Sequence, residues 1–227
     1  MNVTSEVTAS SRVGEIATHF PLATRVFARH GIDFCCGGGV PLADACAKRK
    51  LDTAAVLEEI ERTIAAPGAA DATRWDEAPV AELVRHIVDH FHAPLREELP
   101  RLEAMARKVA RVHGDKEPVR LPALLETFLA LKAEVDEHLR EEEEALFPAI
   151  LAGAADPEAP LAAFVDDHTR VGRELARIRE LTDGFRVPDG ACNTWNALWH
   201  GLAALETDLH EHIHLENNVL FPRAAAA

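Results

Sequence analysis

The sequence has no tyrosine, and aromatic residues make up only 5% of its 227 positions. Without a phenol, neither a tyrosyl radical nor a tyrosine proton relay is available to any chemistry the chain performs. Few aromatics beside abundant alanine and leucine also favour helix over sheet. Long apolar runs are missing: no stretch approaches the 18 residues of a membrane span, and the polar start MNVTSEVTASS is unlike a signal peptide. A soluble, cytoplasmic protein is the expectation. Cysteine is scarce, with Cys35, Cys36, Cys46 and Cys192 too few for a disulfide scaffold of this length. Cys35 and Cys36 are adjacent and would form a strained disulfide at best, so a reducing compartment fits better. Positive charge is also short, 24 Lys and Arg against 38 Asp and Glu, for a net of −14. Residues 1–66 carry seven basic and eight acidic side chains, which leaves −13 on the remainder. Such a surface repels phosphate, so nucleic acid and anionic membranes are discounted as partners.

What is present is helical patterning, at 48% hydrophobic content. The spacing predicts an all-α protein in three parts. Residues 1–66 form a small helical domain, 67–78 a linker, and 79–227 an up-and-down four-helix bundle. In the first part the opening ten residues read as a tail, Pro21 can start a helix, Gly37–Gly39 force a loop after the cysteine pair, and Asp52 opens a helix through Val56 and Ile60. The four bundle helices begin near Pro79, Leu121, Glu158 and Thr194, and Pro94 should kink the first locally.

Two stretches of the bundle repeat each other. His138, Glu142, Leu146, Phe147 and Pro148 match His212, Glu216, Leu220, Phe221 and Pro222 in type and spacing. Each His-x-x-x-Glu has an acid one turn earlier, Glu134 and Asp208, and another histidine far upstream. His92 lies 46 residues before His138, and His168 lies 44 before His212. The pattern is two helical hairpins, each with His on one helix and His-x-x-x-Glu on the next.

At about 100° per residue, His138, Glu142, His168, His212 and Glu216 all fall within the apolar stripes of their helices. On the first helix, His86 and His90 lie about 170° and 130° from the stripe centre, against about 70° for His92. His92 is therefore the inward histidine, while His86, His90, His210 and His214 read as outward. Within Glu141–Glu144 only Glu142 has the inward phase. A carboxylate aimed into a bundle core costs several kcal/mol unless it is paired or bound to a cation. A lone inward histidine is usually a hydrogen-bonded core residue. Six such groups in duplicated register point instead to metal. Imidazole and carboxylate together suit iron or manganese, six ligands suffice for two ions with bridging glutamates, and the lack of cysteine argues against structural zinc.

With these residues in view, the chain resembles the RIC family, the di-iron proteins of iron–sulfur cluster repair, also called the ScdA or YtfE type. The resemblance rests on Gly31-Ile32-Asp33-Phe34-Cys35-Cys36-Gly37-Gly38, on His138-x-x-x-Glu142, and on the run His212 to Arg223. It implies a hemerythrin-like bundle with two iron ions, oxo- and carboxylate-bridged, on His92, His138, Glu142, His168, His212 and Glu216. It also implies repair of clusters damaged by nitric oxide or peroxide, with damaged iron–sulfur proteins or a cluster scaffold as partners. Two other roles share this ligand set: a nitric oxide or peroxide reductase, and a sensor of dioxygen or nitric oxide. A homodimer is compatible with all three.

Glu134, Asp167 and Asp208 are placed to orient ligand histidines or line an exit for iron, or else form polar shoulders of their helices. Cys35 and Cys36 are candidates to accept iron or exchange redox equivalents, with Arg25, Arg29 and His30 expected to lower a thiol pKa. The alternative is that they are small packing residues. Cys46 and Cys192 read as structural.

Overall fold

A computed structural model describes residues 7–66, 72–153 and 158–226, with the side chains of 158–160 excepted. The expected tail over residues 1–6 and the linker stretch 67–71 lie outside the described residues. The chain divides into two compact units, residues 84–209 and residues 1–83 with 210–227. Among the described residues the regular structure is helical throughout, apart from one isolated bridge between Arg12 and Pro41.

In the first unit, α1 (Val13–His19), α2 (Thr24–His30), α3 (Leu42–Arg49) and α4 (Thr53–Ile64) are short and separated by punctuation. Pro21 opens a single tight turn leading into α2. Gly31 ends α2 in the left-handed region at φ 63°, where Ile32 N–H reaches back to Phe27 O at 2.9 Å. Asp52 caps α4 by accepting the Ala54 N–H at 3.0 Å. Val13, Ile16, Phe27, Phe34, Leu42, Val56 and Ile60 pack into the core of this unit. Full burial of a side chain of this size contributes roughly 1.5–3 kcal/mol, so the residues around Phe27 and Phe34 are the main apolar contribution to holding the four short helices together.

The second unit is built on four long helices. Helix α5 comprises Val80–Ile87, Val88–His92 and Ala93–His113, and α6 comprises Arg120–Glu141, Glu142–Leu146 and Phe147–Leu151. Helix α7 is Glu158–Leu181, and α8 comprises Asn193–Leu215, Glu216–Leu220 and Phe221–Ala225. The boundaries between the two units fall inside α5, after Leu83, and inside α8, after Leu209. Helix ends show the direction of each element. Arg120, at the start of α6, donates to Leu181 O at the end of α7 at 3.0 and 3.1 Å. His113, at the end of α5, stacks against Trp195 at the start of α8, ring centroids 4.8 Å apart. All four of those ends meet at one pole, so successive helices run up and down. Near the end of α7, Arg179 grips the buried Glu206 of α8 through Nε at 2.8 Å and through Nη2.

The middle segments of α5, α6 and α8 are π turns. Each is closed by an N–H reaching five residues back: Ala93 to Val88 O, Phe147 to Glu142 O, and Phe221 to Glu216 O. Each donor is followed by a proline, at 94, 148 and 222. Proline has no N–H and its ring collides with the carbonyl four residues earlier, so the helix widens by one residue to relieve the clash. The kink expected at Pro94 is thus a widened turn lying before the proline, and it recurs at both Leu-Phe-Pro repeats.

Candidate metal centre

The π turns hold three of the candidate ligands. His92 ends the first, Glu142 begins the second and Glu216 begins the third. In the second unit, His92, His138, Glu142 and His168 are buried, with Glu142 wholly inaccessible. His138 Nε2 lies 2.9 Å from His168 Nε2 and 3.2 Å from Glu142 Oε1. His92 Nε2 lies 3.5 Å from Glu142 Oε2. In the first unit, His212 Nε2 lies 2.9 Å from Glu216 Oε1, and both residues are buried.

These separations fit a metal. Two ligands about 2.1 Å from one ion and at right angles to each other stand roughly 3.0 Å apart. The donors of His138, Glu142 and His168 all lie within 4.8 Å of one another, so three atoms able to give lone pairs converge on one point. A buried carboxylate among imidazoles suits a cation there. The donors are nitrogen and oxygen only, which favours iron or manganese over structural zinc.

Outer contacts orient the rings. Glu143 Oε1 accepts from His92 Nδ1 at 2.7 Å and from Arg96 Nη2 at 2.8 Å. Burial pushes the Glu143 carboxyl up, but the His92 and Arg96 contacts outweigh it and leave it below the usual range. The inward-phase rule assigned Glu143 to solvent. The π turn beginning at Glu142 breaks that rule by adding a residue to the turn. Phe147 stacks on the other side of His92, centroids 5.6 Å apart. Asp167 Oδ2 stands 3.5 Å from His138 Nδ1, so it serves the neighbouring helix's histidine rather than the adjacent His168. Arg170 joins Asp167 to Glu134, 3.6 Å away. Asp208 lies in a groove of about 520 Å³ with His90, Glu97 and Glu98. Burial raises its carboxyl pKa, with His90 opposing and Glu98 adding to the rise. His86 and His90 stack at 4.9 Å, His90 exposed and His86 half-buried.

In the first unit the cysteine loop is tied to the turn that carries Glu216. Asn218 Nδ2 donates to Cys35 O at 3.0 Å and to Phe34 O at 3.4 Å. His214, outward by phase, is buried here, with Nδ1 3.3 Å from Phe34 O and its ring edge-on to Phe34 at 5.6 Å. Burial lowers its pKa to about 4. Phase reads only a residue's own helix, so it missed the cover supplied by Phe34. Asp33 Oδ1 accepts the N–H groups of Cys35 and Cys36 at 3.1 and 3.0 Å. Asp33, Cys35 and Cys36 form a third group of converging donors. The two sulfurs are 3.6 Å apart and unbridged. The Cys36 contact, burial and Asp33 all push the Cys35 thiol well up, opposite to the lowering expected from nearby cations. Arg29 and His30 are engaged with Glu59.

Comparison with known proteins agrees with this geometry. Residues 83–224 match the hemerythrin HHE cation-binding domain, and residues 9–64 match a domain of unknown function found at the N-terminus of ScdA. The iron–sulfur cluster repair protein YtfE of Pectobacterium atrosepticum is 43% identical over 213 residues, covering 93% of this chain and 95% of that one. The protein of the same name from Yersinia pseudotuberculosis serotype O:1b is 40% identical over the same coverage. A single chain that carries both domains and matches these proteins over 93% of its length belongs to the YtfE family of iron–sulfur cluster repair proteins.

Proposed function

We propose that the chain repairs damaged iron–sulfur clusters by supplying ferrous iron from a di-iron centre held by His92, His138, Glu142, His168, His212 and Glu216. The observation that carries this reading is the donor set: buried imidazoles and carboxylates spaced about 3 Å apart, with no thiolate among them. Iron held by nitrogen and oxygen is released to sulfur ligands more readily than iron already held by thiolate. The two buried His-x-x-x-Glu pairs both fall inside the cation-binding domain match, which supports a shared centre. Glu142 and Glu216 would each supply a carboxylate to the iron, and each begins a π turn, a place where a helix can shift its carboxylate between binding modes. Glu143 holds the His92 ring through its second nitrogen, and Asp167 stands 3.5 Å from that of His138.

The partner is an iron–sulfur protein with a broken cluster, or the scaffold on which clusters are built. Cys35 and Cys36 receive the departing iron or exchange electrons with it, and Asp33 lies against both. Anaerobic incubation of the ferrous protein with an apo-cluster protein and sulfide tests the reading. Cluster assembly that consumes the chain's own iron supports it. Free iron that serves the acceptor while the chain's iron stays bound overturns it. Steady reduction of nitric oxide with an electron donor and no loss of iron would instead make the centre a reductase.

A further inference from the structure

Cys192 stands apart from these donor clusters, and its setting is that of a reactive thiol rather than a packing residue. It is exposed and immediately precedes the long helix Asn193–Leu215, whose first turn it closes by accepting the Asn196 N–H at 2.9 Å. Its sulfur occupies the cap position, facing the N–H groups of Trp195 and Thr194. From α5, His113 places Nε2 3.3 Å from Sγ. That imidazole is about nine-tenths buried and is held against Trp195. Lys108, one and a half turns earlier on α5, is anchored to Thr194 Oγ1 at 2.9 Å and adds positive charge. A groove of about 400 Å³ lined by Met105, Lys108, Asn193 and Thr194 opens beside the helix start.

Three separate features therefore favour a thiolate here: helix-end N–H groups, a buried imidazole on the sulfur, and a fixed ammonium. The Trp195 N–H foremost, with the Thr194 N–H and the Lys108 charge, holds the Cys192 thiol below its ordinary range. Cys35 and Cys46 go the other way, Cys46 raised mainly by burial.

We infer that Cys192 is a site of reversible S-thiolation, at which low-molecular-weight disulfides exchange with a sulfur activated by His113. The S–H proton passes to His113 Nε2, and the thiolate attacks one sulfur of the disulfide. The disulfide's S–S bond breaks as the new one forms, and the departing half leaves as a thiolate that takes up the proton. Cys192 is oxidised and the small disulfide reduced, two electrons in all. Excess small thiol runs the exchange backwards.

The test uses the full-length, iron-loaded chain with oxidised glutathione, followed by peptide mass mapping. Cys192 is expected to take the adduct first, at least about tenfold faster than Cys36 at neutral pH. Cys192→Ser should remove that adduct and leave the others unchanged. His113→Phe, which keeps the contact with Trp195, should slow the reaction several-fold and move its pH–rate profile upward. An adduct on Cys192 no faster than on Cys36, or an unchanged profile in His113→Phe, overturns the inference. Should His113→Phe not fold, the wild-type profile decides. A rate that rises only with the titration of an ordinary thiol overturns it, and a profile displaced to lower pH supports it.

Discussion

Asn218 donates to the Cys35 carbonyl at 3.0 Å from the same π turn that Glu216 begins. Glu216 is the first residue of that turn and Asn218 the third, so the carboxylate of the candidate centre and the anchor of the thiol loop share one stretch of backbone. The loop is also clamped from beneath. Gly14 N–H donates to Gly38 O at 2.8 Å, and the two glycines approach with no room for a side chain on either.

Gly38→Ala is expected to loosen this clamp. Its added methyl would stand 2.8 Å from Phe34 O and 2.9 Å from the Gly14 Cα, both backbone atoms that cannot swing aside. A loss of about 1–3 kcal/mol is expected in urea unfolding. Faster alkylation of Cys35 in the folded protein should accompany it, and an unchanged midpoint would show that the clamp contributes nothing.

Asp33→Asn should make Cys35 more reactive. The Cys35 thiol is raised by Cys36, by burial and by the Asp33 charge, so at pH 7 it holds less thiolate than a free cysteine and alkylates more slowly. Asparagine keeps an oxygen for the Cys35 and Cys36 N–H groups while removing the charge. Thiolate at Cys35 should then form at lower pH, read as faster iodoacetamide labelling between pH 7 and 9. Slower or equal labelling would contradict the assignment.

Removing Glu143 should weaken iron binding although it is not a proposed ligand. Without its oxygen on His92 Nδ1, the ring loses both its orientation and its tautomer. Glu143→Ala is expected to lower iron affinity about 10–100-fold in chelator competition. Glu144→Ala, which removes an exposed partner of Arg140, should leave affinity unchanged.

Arg179 and Glu206 test the second unit's packing separately from its metal. Glu206 is buried and Arg179 half-exposed, with its guanidinium also 4.8 Å from the Phe185 ring. Arg179→Met leaves a buried carboxylate without its cation and should cost about 1–3 kcal/mol, reduced by the exposure of Arg179. Arg179→Met with Glu206→Leu should recover most of that loss in urea unfolding.

Much of this was legible from helical phase. Phase separated buried His92 from exposed His90, and it placed His138, Glu142, His168, His212 and Glu216 on buried faces. It succeeds because a long amphipathic helix repeats one local environment, so a polar residue in the apolar stripe stands out. It failed where the environment comes from elsewhere. His214 is covered by Phe34 from a loop 180 residues away, and no periodicity in α8 registers that. Glu143 was misread because a π turn shifts the phase by one residue. The Leu-Phe-Pro signal was visible as a repeat, but its effect on the backbone two residues earlier was not. Cys192 read as structural because sequence shows neither the His113 ring nor the helix N–H groups directed at its sulfur.

The three widened turns bear on how iron would leave. A helix opens first where its hydrogen-bond ladder is already irregular, and here those places coincide with His92, Glu142 and Glu216. Breathing of a single five-residue window can therefore swing one carboxylate away while the flanking turns, buried through Leu95, Leu139 and Leu209, stay closed. Amide exchange should show three fast patches inside otherwise slow helices, with α7 protected evenly because His168 stands on a regular turn. On the proposed ligand set, release of a metal would require the opening of a turn and not the unfolding of a domain.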